Sequence, residues 1–196
     1  MEELAAVSFG YLVGSLPFAY LLARRRGIDL RQVGSGNIGA TNVLRTSGAR
    51  QAVLAMSLDA AKGAIAVLVA RALTTGPATP MAAGLAAVIG HIYPVWLRFH
   101  GGKGVATAAG VFAVLAPLAL AIASAVFILA VWVTRYISVG SMAGAIALAV
   151  SAAASEAPRA VAVGAAIAAL IIVHRHRGNL ARLVSGTERR VGQRRF

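Results

Sequence analysis

The sequence predicts an all-α polytopic membrane protein of about seven transmembrane helices, some of them short, with a cytoplasm-facing site built from loops. Three observations carry that reading. Hydrophobic residues make up 59% of the 196-residue chain and charged residues only 13%, about half the usual charged share of a soluble domain. The apolar residues fall in long runs, several of them close to the ~20 residues that cross a bilayer core as a helix. Most of the charges fall between those runs, and the Lys and Arg residues there lie almost all on one side. A soluble protein of this length could not hide so much apolar surface, and residues 1–196 fit a single membrane domain.

The elements follow in order. Leu4 to Ala23 has no charge and is long enough to span; Arg24, Arg25 and Arg26 end it. The start Met1-Glu2-Glu3 lacks the basic n-region of a signal peptide, so this run is expected to stay as a span. Residues 24–50 form a polar loop rich in Gly, Ser, Asn and Arg. A second span runs from about Gln51 to Leu73 and carries Asp59 and Lys62. After the turn at Thr75-Gly76-Pro77, a third runs from about Pro80 to Leu97. The stretch Val105 to Thr134 is too long for one span and short for two, so Pro117 is expected to divide it into two short or tilted helices. A small loop covers 135–140. Spans near 141–155 and 159–173 follow, parted by Ser155-Glu156-Ala157-Pro158, and a basic tail begins at His174. Gly10-x-x-x-Gly14 and Gly140-x-x-x-Gly144 suit close helix packing.

Seven segments place loops 24–50, 98–104 and 135–140 on the same side as the tail. That side holds sixteen of the Lys and Arg residues, and the other keeps only Arg71 and Arg159. By the positive-inside rule the charge-rich face is cytoplasmic and the N-terminus lies outside. Topology thus accounts for the net charge of +13, and no nucleic-acid partner is expected. The absence of cysteine excludes disulfides and thiol chemistry.

Two glycine-rich loops on that face are the candidates for chemistry. The first reads Gly34-Ser35-Gly36-Asn37-Ile38-Gly39-Ala40-Thr41-Asn42-Val43-Leu44-Arg45. Its short polar side chains hydrogen-bond readily, and Arg45 offers a planar fork to an oxyanion. A plain helix-capping loop would use the same residues; a second glycine-rich loop on the same face favours an anion site. That second loop is Gly101-Gly102-Lys103-Gly104. Glycines let backbone N–H groups approach an anion, Lys103 adds charge, and a helix starting at Val105 would aim its N-terminal dipole there. It is not a nucleotide P-loop, because Leu97 and Gly104 stand where Gly and Ser/Thr are required.

In the tail, His176, Asn179 and Arg182 would share one helical face, and His176 could transfer a proton. The basic tail through Arg195 also suits anionic lipid. Asp59 and Lys62 can pair three residues apart within their span, and His91 reads as a hydrogen-bonded structural histidine. Ser138 and Ser141 could join the site from the third loop. There is no Gly-x-Ser-x-Gly elbow and no His-Glu-x-x-His, and six acidic residues make a two-metal site improbable. Nor is there a His-x4-Asp pair, since Trp96, Val105, Asn179 and Ala181 stand five residues after the four histidines.

Read together, these residues resemble the acyl-phosphate:glycerol-3-phosphate acyltransferase family of bacterial membranes. The resemblance rests on Gly14-Ser15-Leu16-Pro17, Gly34 through Asn37 with Asn42 through Arg45, Asp59-x-x-Lys62-Gly63, Gly90-His91 through Thr107, Tyr136-x-Ser138, and His176-x-x-Asn179-x-x-Arg182-Leu183 with Gly186-Thr187-Glu188. His100 departs from a frequent Lys, Leu180 from a usual Ile, and Gly178 from a frequently acidic position.

The resemblance implies acyl transfer from a long-chain acyl phosphate to the 1-hydroxyl of sn-glycerol 3-phosphate in the bacterial cytoplasmic (inner) membrane, with no cofactor and no metal. The soluble enzyme that makes acyl phosphate is a further candidate partner, beside membrane lipid. Ser35, Asn37, Lys103 and His176 are then expected to be catalytic. Gly36, Gly39, Thr41, Asn42, Arg45, Gly101, Gly102, Gly104, Ser138, Asn179 and Arg182 are expected to bind substrate. The residue chemistry agrees: a mixed anhydride is already activated, so the site needs to bind phosphates, align the hydroxyl and stabilise an oxyanion. The alternative is an organophosphate transporter, for which only Asp59, Lys62 and His91 supply polar groups at membrane depth. A non-catalytic lipid-packing scaffold leaves both glycine loops unexplained.

Overall fold

Pro17 breaks the first apolar run into two helices, α1 (Glu2–Gly14) and α2 (Phe18–Arg24). Proline cannot donate to the preceding turn and disfavours helical backbone at Leu16. The computed structural model describes residues 1–192, and every regular element among them is helical. The chain forms two compact units, Met1–Leu115 and a second beginning at Ala116.

In the first unit, α3 (Ala40–Ser47) lies within the segment expected to be all loop. Its eight residues are mostly polar, and it buries only Asn42 and Val43. Val43 joins Leu30, Ile38, Ala19, Ala23, Ala52 and Ala55 in a small core that holds the loop to α2 and α4 (Ala49–Leu73). Gly48 divides α3 from α4 at φ +87°, a left-handed conformation suited to glycine. Then come α5 (Ala78–Ile92), a 3-10 turn (Val95–Leu97) and α6 (Val105–Leu115).

The small-residue motif in α1 packs as expected. Gly10 lies against Ala83 and Gly14 against Ala87, so α1 and α5 run in the same sense and α4 returns the chain between them. A Cβ on Gly14 would overlap the Ala87 backbone. Overpacking of this kind costs roughly 1–3 kcal/mol, so Gly14→Val should clearly lower the thermal unfolding temperature in detergent. A melting curve like the parent's would contradict this packing.

In the second unit, α7 (Pro117–Thr134) starts at the expected proline, which suits a first helical position. It pairs with α8 (Ile137–Ala154) in an antiparallel hairpin: Gly140 meets Phe127 and Val131, and Gly144 meets Ala123. Only Arg135 and Tyr136 separate the two helices, so the loop expected over 135–140 is shorter, and Ser138 and Ser141 belong to α8. Arg135 makes the turn at φ +65°. Then come α9 (Arg159–Arg175) and α10 (Arg177–Val184), bent by 50° at His176. The expected end of the basic tail, Arg194 and Arg195, lies outside the described residues.

Among the described residues, five helical stretches are long and apolar enough to cross a membrane, or six with the bent pair Arg159–Arg175 and Arg177–Val184 as one span. The remaining apolar segment, α6, has 11 residues, or ~16 Å at 1.5 Å per residue, about half a bilayer core. It is one of the short helices the Pro117 division predicts, so about seven apolar segments stand with unequal lengths. Trp132 and Leu118 on α7 are 76% and 69% exposed, a surface suited to hydrocarbon.

Candidate active site

Asn42 organises the first glycine-rich loop. Its Oδ1 accepts the Ser35 N–H at 2.9 Å, while Nδ2 donates to the carbonyls of Leu30 (3.1 Å) and Val33 (3.0 Å). The side chain is buried and both amide protons are spent on backbone, so Asn42, expected as a substrate ligand, instead shapes the loop. Gly34 and Gly36 take φ values of +66° and +70°, and a Cβ on Gly34 would strike the Asn42 amide. The loop presents Ser35 and Gly36 in exposed positions and Asn37, Gly39 and Thr41 half-buried, with Arg45 exposed one turn further along α3. At its start, Asp29 accepts three bonds from Arg31, one from its backbone N–H at 3.1 Å and two from its guanidinium at 3.0 and 2.7 Å. The Arg31 guanidinium holds that carboxyl down to about 2.

The second loop is docked by its own backbone. Gly101 N–H donates to the Ile92 carbonyl at 3.0 Å and Gly102 N–H to the His91 carbonyl at 3.1 Å, which closes the C-terminal end of α5. A Cβ on Gly101 would meet the His91 carbonyl, and one on Gly102 the His91 ring. The expectation that these two N–H groups hold phosphate is therefore corrected: they hold the loop. Gly104, at φ +86° against Val88 and Ile92, turns the chain into α6. Half-buried Lys103 sits two residues before that helix starts, so side-chain charge and N-terminal dipole fall close together. Ile38 of the first loop and Gly101 and Gly102 of the second line one small cavity, with Pro17, Lys62 and His91.

In the second unit Ser138, Asn179 and Arg182 converge on Glu188, a residue not among those expected to form the site. Its Oε1 accepts Ser138 Oγ at 2.9 Å and Asn179 Nδ2 at 2.6 Å, and its Oε2 accepts Arg182 Nε at 2.7 Å. The Glu188 side chain is 4% exposed. Burial alone would raise its carboxyl, but the bonds from Asn179, Arg182 and Ser138 outweigh that and hold it below the usual carboxylate range. Ser138, Asn179 and Arg182, expected to bind substrate, thus turn donors toward an internal anion. Ser141 bonds back to the Ile137 carbonyl. His176, buried at the bend, has Nδ1 2.8 Å from the Ile172 carbonyl. A carbonyl only accepts, so Nδ1 carries hydrogen and Nε2 is the basic nitrogen of the neutral ring.

These features define a polytopic integral membrane protein with polar clusters built by glycine-rich loops and a buried carboxylate. The chain belongs to the glycerol-3-phosphate acyltransferase family, whose model matches residues 4–186. It is 50% identical to the glycerol-3-phosphate acyltransferase of Myxococcus xanthus over 95% of this chain and 98% of that one. It is 48% identical to the one of Geobacter sulfurreducens, over 97% and 98%. Its fold matches crystal structures of PlsY (YgiH), an integral membrane glycerol 3-phosphate acyltransferase. The TM-score is 0.94 at 39% identity for the glycerol 3-phosphate form, covering 98% of this chain and 96% of that chain. For the lysophosphatidic acid form it is 0.91 at 37% identity, with the same coverage.

Proposed function

We propose that this protein transfers a fatty acyl group from acyl phosphate to the 1-hydroxyl of sn-glycerol 3-phosphate, giving 1-acyl-sn-glycerol 3-phosphate (lysophosphatidic acid) and inorganic phosphate. This is the first step of phospholipid synthesis in the bacterial cytoplasmic membrane. The observation that carries the reading is Lys103 on a backbone-docked glycine loop at the start of α6, in a chain of this family. The PlsY structures in glycerol 3-phosphate and lysophosphatidic acid forms match the proposed acceptor and product. The positive-inside split favours a cytoplasmic face for the loops and an outside N-terminus.

In the proposed step, the hydroxyl oxygen attacks the acyl carbonyl carbon, the bond from that carbon to the phosphate oxygen breaks, and phosphate leaves. Lys103 and the α6 N-terminus stabilise phosphate charge. Arg45, Gly36, Gly39 and Thr41 hold phosphate oxygens, and Ser35 and Asn37 orient the reacting groups. Gly101, Gly102, Gly104 and Asn42 fix the loops, while Ser138, Asn179 and Arg182 act through Glu188. The hydroxyl proton passes to His176 Nε2 or to a substrate phosphate oxygen. For the transporter alternative, the polar groups of unit 1 at membrane depth are engaged with one another: Lys62 Nζ lies 2.9 Å from Asp59 Oδ1.

The test is an assay of purified protein with glycerol 3-phosphate and either palmitoyl phosphate or palmitoyl-CoA. Lysophosphatidic acid and inorganic phosphate should appear in equal amounts from the acyl phosphate alone. Product from palmitoyl-CoA would overturn the donor assignment. No product from either, with folded protein, would move the transporter to first place.

A further inference from the structure

We propose that Asp59, Lys62 and His91 form a positioning cluster that sets the Gly101–Gly104 loop, and with it Lys103, for phosphate binding; the inference rests on the reading of Lys103 above. The side chains of Asp59 and Lys62 are each 2% exposed and that of His91 7%. Lys62 Nζ lies 2.9 Å from Asp59 Oδ1 and donates to the Leu16 carbonyl at 2.9 Å. Leu16 belongs to the break before α2, so Lys62 ties the middle of α4 to the place where Pro17 interrupts the first run. His91 Nδ1 lies 3.5 Å from the same Asp59 oxygen.

The opposite edge of the imidazole faces the loop. A Cβ on Gly102 would run into His91 Nε2, and the His91 carbonyl accepts the Gly102 N–H at 3.1 Å. His91 is therefore joined to the loop by both backbone and ring, and to α4 through Asp59. A rotation of that ring would displace Gly102, the residue before Lys103.

A purely architectural tie does not require these charges. Apolar residues of similar volume hold helices together without the desolvation cost of an ion pair. An orienting role does use them: the Asp59 carboxylate attracts the Nδ1 edge of the imidazole across 3.5 Å, and Lys62, 2.9 Å from the same oxygen, holds that carboxylate in place.

Two variants separate the roles. The double substitution Asp59→Leu with Lys62→Met removes both charges and leaves neither unpaired; His91→Phe keeps a ring but no Nδ1. Both should fold with unfolding temperatures near the parent's, yet lose about 10–100-fold in kcat/KM for glycerol 3-phosphate, as expected for misplacement on the ångström scale. Modification of Lys103 by an amine-acylating reagent, with and without inorganic phosphate, gives a readout independent of turnover. Phosphate should protect Lys103 in the parent and less so in the variants. Parental kinetics and parental protection in either folded variant would overturn the proposal. Unfolding of both variants would assign the cluster to stability alone and overturn it equally. If the parent shows no acyl transfer with either donor while the variants lose phosphate protection, the activity reading fails and the positioning role stands.

Discussion

Lys103→Ala is expected to remove nearly all acyl transfer, a loss of at least ~10²–10³-fold by analogy with removal of one preorganised charge-stabilising donor. The folded protein should be little changed. The loop that carries Lys103 is held by the Gly101 and Gly102 backbone bonds to the end of α5 and by the packing of Gly104 on Val88 and Ile92. The substitution therefore removes charge from a scaffold that persists without it. Lys103→Arg keeps the charge but replaces a compact ammonium with a planar fork, so it should recover only part of the rate. Initial rates and thermal unfolding on the same preparations check both statements. Near-parental turnover of the alanine variant would refute the role of Lys103.

Glu188→Ala should have the second large effect, and should act through the fold. It leaves Ser138 Oγ, Asn179 Nδ2 and Arg182 Nε without the carboxylate they converge on. Removing one partner of a buried charge pair costs about 3–5 kcal/mol; the figure here is smaller, because the Arg182 side chain is 44% exposed and solvent screens it. The variant should be less stable and lose most activity, whereas a stable, fully active variant would contradict the arrangement.

The same carboxylate has a pH signature. Its folded pKa lies below the ordinary value, which is about 4.3 for Glu. The stability it contributes is therefore fully present above that ordinary value and is lost as pH falls through the lowered folded pKa. Unfolding temperatures measured downward from neutral pH should show this acid loss in the parent, and Glu188→Gln should lack that component.

Most of the membrane architecture was legible in the sequence because run length, Pro117 and the small-residue motifs act locally. Pro117 starts α7, Gly10 and Gly14 pack on Ala83 and Ala87, and Gly140 and Gly144 pack on α7. The Asp59–Lys62 pair was legible from its spacing alone. Helix α3 was not, since eight mostly polar residues give a weak helical signal and its stability comes from Val43 and Asn42 in a tertiary setting. The identities of the loop residues were visible but the direction of their bonds was not. Nothing local says that Asn42 turns inward to Leu30 and Val33, or that Gly101 and Gly102 spend their N–H groups on α5. Glu188 did leave a signal, as the only carboxylate after Glu156 in a tail with seven arginines. A lone acid in such a tail is a natural collecting point for donors.

The proposed transfer is direct: glycerol 3-phosphate attacks the acyl phosphate itself, with no acyl group passing through the protein. The most direct measurement is phosphate exchange. Purified protein is incubated with palmitoyl phosphate and isotopically labelled inorganic phosphate, in the absence of glycerol 3-phosphate, and label entering the palmitoyl phosphate is followed. No exchange above the protein-free control is expected, while adding glycerol 3-phosphate to the same sample should start release of phosphate at once. Rapid exchange without the acceptor would reveal an acyl-enzyme and contradict the account.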